Sequence, residues 1–161
     1  GGVMLSFGRN PKATVVVSQG TGSQAVAGTG TANEIDMAPG LITIPGGLMS
    51  ATGSVRITTT WKFTGAVGVR IPRIKFGGTN YYAVSHASTV LSSSNQTIIH
   101  NKTTTSQVSV AANIAAGQGA SGVTTVTSAV NTASSVVIQI TAACFVGDTA
   151  SLEHWIVEYL P

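Results

Sequence analysis

SVRITTTWKFT, Ser54 to Thr64, alternates without a fault: Val55, Ile57, Thr59, Trp61 and Phe63 take one side, and Arg56, Thr58, Thr60, Lys62 and Thr64 the other. Successive side chains of a strand point to opposite faces, so a sustained period of two describes a strand with one face in a core and one in water. Trp61 and Phe63 on the apolar side make this strand a core element.

Upstream, ATVVVS (13–18) reads as a first strand, GTGSQAVAGTGTAN (20–33) as a loop or weak edge, and EIDMAPGLITIP (34–45) as two short strands around Pro39-Gly40. Downstream lies RIPRIKFGGTNYYAV, Arg70 to Val84. Val67, Val69 and Ile71 set one phase, and Ile74 and Phe76 continue it one residue out of step. Pro72 lacks a ladder donor and is expected to mark a bulge or kink there, with Gly77-Gly78 turning into a strand over Thr79 to Val84. His86 to Gln96 reads as a serine-rich loop. Strands follow at Thr97 to His100 and at Ser106 to Ala112, the latter with Val108 and Val110 alternating. AANIAAGQGASG (111–122) is an irregular connection. Val123 to Ser128, Ser135 to Phe145 and TASLEHWIVEYL (149–160) complete the set, with Val136, Ile138, Ile140, Ala142 and Cys144 on one side of the second of these. About ten strands, spaced as in sandwiches and barrels, make the chain all-β.

Composition agrees. Charged residues are 8% of 161, against roughly 25% in an average soluble domain, and Ser and Thr supply about a quarter. The length suits one domain over 1–161, with 1–33 expected as an N-terminal arm or a connection to a longer fibre. The formal charge of +3 arises because only Glu34, Asp36, Asp148, Glu153 and Glu158 are acidic, so no nucleic-acid partner is expected. No apolar run approaches the ~20 residues of a membrane span, and GGVMLSFGRNPK lacks the apolar stretch of a signal peptide. The single cysteine, Cys144, excludes an internal disulfide.

Candidates for chemistry are sparse. Glu34 and Asp36 share a strand face but read as solvated acids. Glu153 and Glu158, an odd number apart, face opposite ways unless a bulge intervenes. Cys144 sits in an apolar set and reads as a small core residue rather than a nucleophile. No G-x-S-x-G, H-E-x-x-H or phosphate loop is present. We therefore expect no catalytic residues, no metal and no cofactor: the chain reads as a non-enzyme. The bases Arg56, Lys62, Arg70, Arg73 and Lys75 fall on two strands read as a hairpin. They are either a patch for an anionic glycan or partners for Glu153, Glu158 or a neighbouring subunit. Tyr81 and Tyr82 should point to opposite sides, leaving at most one exposed beside Asn80. Arg73, Lys75, Asn80, Tyr81 and Tyr82 are the candidate ligand-binding residues.

LITIPGGLMSATGSVRITTTWKFTGAVGVRIPRIKFGGTNYY (41–82) and the strand from Asp148 to Glu158 resemble tail-fibre, tailspike and related fibrous virion proteins of tailed bacteriophages. The shared features are an I-P-x-G-x-M segment, G-S-[VL]-R-I with alternating Thr and aromatic residues, and a basic strand ending in F-G-G-T. That resemblance implies an antiparallel β-sandwich, jelly-roll-like, assembled as a homotrimer near the tip of a fibre. It implies a virion location, other virion proteins as partners, and attachment to bacterial surface polysaccharide or lipopolysaccharide without membrane insertion. The alternatives are a capsid or fibre decoration or assembly protein without a ligand, and a carbohydrate-binding module accompanying a depolymerase.

Overall fold

The computed structural model describes residues 13–22, 25–111 and 124–161. Its strands are β1 (Val15–Gly20), β2 (Ala25–Ala27), β3 (Ile35–Ile44), β4 (Ser54–Thr64), β5 (Arg70–Phe76), β6 (Thr79–Ala83), β7 (Ser92–Thr103), β8 (Ser106–Ser109), β9 (Val126–Ser128), β10 (Val136–Cys144) and β11 (Thr149–Leu160). They form two antiparallel sheets. One runs β1-β11-β4-β7-β8-β9, with β2 also on β11, and the other β3-β10-β5-β6. The core between them draws on both: Val55, Ile57, Trp61 and Phe63 from β4 meet Ile74 and Phe76 from β5 and Ile138 and Ile140 from β10. The chain is a β-sandwich.

Strand β4 buries the face read from its alternation, and the Trp61 and Phe63 rings lie parallel with centroids 6.2 Å apart. Strand β10 likewise buries Val136, Ile138, Ile140, Ala142 and Cys144. Strand β11 changes phase once. Its register against β4 slips between Leu152 and His154, so Ala150 and Leu152 are inward before the slip and Trp155, Val157 and Tyr159 after it. Glu153 is the extra residue of this bulge, which turns Glu153 and Glu158 to the same outer face.

Several expectations are corrected. EIDMAPGLITIP is one strand, β3, whose register against β10 jumps from Leu41 to Asp36 as Met37 to Gly40 arch over Ile140. Strand β7 begins at Ser92, inside the supposed serine-rich loop. Two of its inward residues are polar and bonded to each other and to β4, since Thr59 Oγ1 donates to Asn95 Oδ1 (2.6 Å) and Asn95 Nδ2 to Thr97 Oγ1 (2.8 Å). On β8 the buried residues are Gln107 and Ser109, while Val110 is exposed. Strands β4 and β5 are not a hairpin, because the chain crosses from one sheet to the other between them. The connection expected at 111–122 lies, beyond Ala111, outside the described residues.

The largest correction concerns Pro72. Strand β5 pairs with β10 in unbroken register from Arg70 to Phe76, and its inward residues are Arg70, Pro72, Ile74 and Phe76. There is no bulge at the proline. The supposed earlier phase does not exist, because residues 65–69 are a loop and the first inward residue of the strand is a charged one. Arg70 exchanges both backbone bonds with His86, and residue 72 faces the same side, where the ladder to β6 starts only at Arg73 opposite Ala83. That register puts Pro72 opposite Val84, where its missing N–H leaves a gap in the bonding between the Arg70–His86 bridge and the ladder that starts at Arg73.

Candidate functional site

The bulge of this hairpin lies on β6 instead. Ile74 pairs with Tyr82 and Lys75 with Asn80, which leaves Tyr81 as the extra residue. An extra residue re-aims the side chains beside it, and here both tyrosines turn into the sandwich. Tyr81 packs edge-on against Phe76, with centroids 6.1 Å apart, and its hydroxyl lies 2.6 Å from Ser128 Oγ. The Tyr82 hydroxyl is 3.3 Å from His86 Nε2. Burial raises the pKa of both phenols.

Of the five candidates, Arg73, Lys75 and Asn80 remain toward solvent, and the register aligns them with residues of β3 and β10. One cross-strand row is Asp36, Thr141, Arg73 and Ala83, and the next is Leu41, Gln139, Lys75 and Asn80. Residues directly opposite share a face, so Asp36, Thr141, Arg73, Gln139, Lys75 and Asn80 form one polar strip across the outer side of the four-stranded sheet, flanked by the exposed Leu41. Glu34, in the connection just before β3, bridges the two bases: Arg73 Nε lies 3.2 Å from its Oε1, and Lys75 Nζ bonds its Oε2. Gln139 Nε2 donates to Asp36 Oδ1 at 2.6 Å. Thr141 Oγ1 and Arg73 Nη1 are both buried and lack a partner among the described residues. The strip can offer fixed N–H and O–H groups, with charge of both signs, to a hydroxyl-rich or carboxylate-bearing ligand.

Gln139 and Thr141 were not among the sequence candidates. The signal was present in their outward phase on VVIQITAAC, but only strand pairing puts that phase beside Arg73 and Lys75. Arg56 and Lys62 lie on the other sheet, where Arg56 makes a two-pronged bond to Glu158 (2.7 and 3.1 Å) that raises its pKa. The five bases therefore do not form one patch.

Arg70 serves a different purpose. Its fully buried guanidinium donates from Nη1 to the Ala87 carbonyl (3.1 Å) and from Nη2 to those of Gly65 (2.5 Å) and Thr64 (3.3 Å), and sits 5.9 Å from the centre of the Phe63 ring. Asp148 Oδ2 is 3.9 Å away. That carboxylate accepts from the backbone N–H of Val67 (3.0 Å) and Gly68 (2.9 Å), which, led by the Val67 bond, hold its pKa below the usual value. Gly65 has φ +89, and a Cβ there would come within 2.1 Å of Asp148 Oδ1. The pair thus ties the 65–69 loop to the start of β11 and to the turn after His86. Burial, followed by the Arg70 charge, lowers the pKa of His86.

A second buried network centres on Gln107. Its Nε2 donates to Asn101 Oδ1 and to the Val130 carbonyl (both 2.9 Å), and its Oε1 accepts from Ser128 Oγ (2.9 Å) and Val130 N (2.8 Å). Through Ser128 it reaches Tyr81 and so joins the edges of the two sheets. At the end of the sandwich held by Arg70, the exposed apolar residues are Val67, Leu91, Phe145 and Val146.

No known family profile matches this chain, and no curated protein matches it. Among solved structures, dimeric latent PorU from Porphyromonas gingivalis aligns with a TM-score of 0.42 at 8% identity, over 86% of this chain and 13% of that one. The CBM2 module of the evolved Dit of Lactobacillus casei BL23 phage J-1 aligns with a TM-score of 0.40 at 9% identity, over 91% of this chain and 96% of that one. The chain therefore spans a small fraction of PorU and nearly the whole of the Dit module.

Proposed function

We propose that this chain is a non-enzymatic β-sandwich module of a tailed-phage virion, forming a homotrimer at a fibre or spike tip and attaching to bacterial surface glycan. The observation that carries the attachment role is the polar strip of the four-stranded sheet, where Arg73, Lys75 and Asn80 stand in register with Gln139 and Thr141. The virion context rests on the resemblance of residues 41–84 and 146–160. A rigid sheet face is a suitable platform for a sugar, since groups already fixed lose little entropy on binding. A binding role rather than a catalytic one is supported by the acids: Glu34, Asp36, Asp148 and Glu158 are each already engaged by a base, an amide or backbone N–H groups.

The test is retention of the purified chain on host cells and on a glycan array. Retention that disappears in the double variant Arg73→Ala, Lys75→Ala, with the fold intact by circular dichroism, is the expected result. No retention on any host polysaccharide would sink the attachment role. A second reading, a decoration or assembly part without ligand, is favoured by one observation: the exposed apolar group at Val67, Phe145 and Val146, where a Cβ placed on Gly68 would already touch the Phe145 ring. Such a surface suits packing against another chain.

A further inference from the structure

Glu34 sits on the polar strip as a carboxylate held by two cations, one oxygen to Arg73 Nε (3.2 Å) and the other to Lys75 Nζ. Beside it the hydrogen bonding is incomplete. Thr141 lies directly opposite Arg73 in the ladder, is fully buried, and its hydroxyl has no partner among the described residues; Arg73 Nη1 is likewise buried and unpaired among them. Buried polar groups are nearly always bonded, so two orphans side by side under an ion pair call for an explanation. We infer that Glu34 occupies the seat of a ligand carboxylate, and that Arg73, Lys75 and Thr141 form a recognition site for acidic sugars of the uronic-acid class, closed in this state by Glu34.

The geometry favours a planar carboxylate, because two cations on alternate outward positions of one strand already hold the two oxygens of one. When the ligand acid replaces Glu34, Thr141 Oγ1 and Arg73 Nη1 gain an oxygen partner that the resident side chain does not reach. Asn80 and Gln139, in the Lys75 row, lie where the sugar hydroxyls would fall. Glu34 belongs to a connection rather than to the ladder, so it can leave without breaking a strand. The inference deepens the attachment role and rests on it.

The test compares binding of polygalacturonate and of neutral dextran to the parent chain, Glu34→Gln, Glu34→Gln/Thr141→Val and Glu34→Gln/Arg73→Gln by titration calorimetry. Glu153→Gln serves as control, making the same charge change on the other sheet. The expected result is a gain for polygalacturonate of about tenfold in Glu34→Gln, reversed by the added Thr141→Val or Arg73→Gln, with dextran and the control unmoved; a hydrogen bond to a charged group commands a factor of that size. An equal gain in Glu153→Gln, or a gain that survives Thr141→Val and Arg73→Gln, would show charge attraction alone and overturn the site. Host-cell retention with no preference for the acid polymer in any variant would overturn the acidic-sugar inference and leave the attachment role standing. Loss of both would remove both.

Discussion

Arg70 carries the most consequence of any single residue. It is buried with no solvent contact, yet three carbonyls, Asp148 and the Phe63 ring surround its guanidinium. Removing one member of a buried pair strands the other, so Arg70→Met is expected to cost about 3–5 kcal/mol, read from urea unfolding. The linked acids predict the pH response. Asp148 has its pKa lowered in the fold from 3.8, so between the folded and unfolded values the unfolded chain holds more protons. Its contribution is complete above about 4 and is lost as pH falls through the folded value. His86 is lowered from 6.5 by burial and by Arg70, and the same sign applies: stability declines as pH drops below 6.5. Two acid limbs should appear in unfolding midpoints measured against pH. Asp148→Asn should flatten the lower one and His86→Phe the upper. A single limb untouched by His86→Phe would refute the assignment.

Among the elements, the β5–β6 hairpin concentrates the informative differences between expectation and structure. Phe76 pairs with Thr79 across Gly77-Gly78, whose φ values of +54 and +84 are those of a two-residue turn with both central residues left-handed. Gly78 faces open space, whereas a Cβ on Gly77 would come within 2.6 Å of Val130 Cγ2. Gly78→Ala should cost about 1–2 kcal/mol from backbone conformation alone, and Gly78→Asn less. Gly77→Ala should cost more than Gly78→Ala because it adds the collision, an order checked by chemical denaturation of the three variants. The turn was legible because paired glycines have few other uses between strands. The bulge was misplaced because Pro72 and Tyr81 can each change the apolar phase of RIPRIKFGGTNYY. Which one does so depends on whether Arg70 is inside, and no local pattern places a charged residue in a core.

The sandwich as assembled leaves one end apolar, at Val67, Leu91, Phe145 and Val146, while its polar strip lies on the four-stranded sheet. If copies associate through that end, Val146→Glu should lower the sedimentation mass from that of a trimer toward a monomer while circular dichroism stays unchanged. A parent chain that sediments as a monomer at micromolar concentration would exclude the trimer. Residues from 54 to 64, 136 to 144 and 149 to 160 could be read as strands directly, since a half-buried strand writes its two faces into alternate residues. For these three segments strand existence needed no coordinates, nor did the core face of 54–64 and 136–144 or the turn at Gly77-Gly78. Partnership did need them. That β4 and β5 belong to different sheets, that Gln107 and Arg70 are buried because distant carbonyls and carboxylates meet them, and that Glu34 and Thr141 converge on Arg73 all follow from long-range pairing. Side-chain period is a local property of a strand. The neighbour it faces is a property of the folded chain, and the candidate site consists of such neighbours.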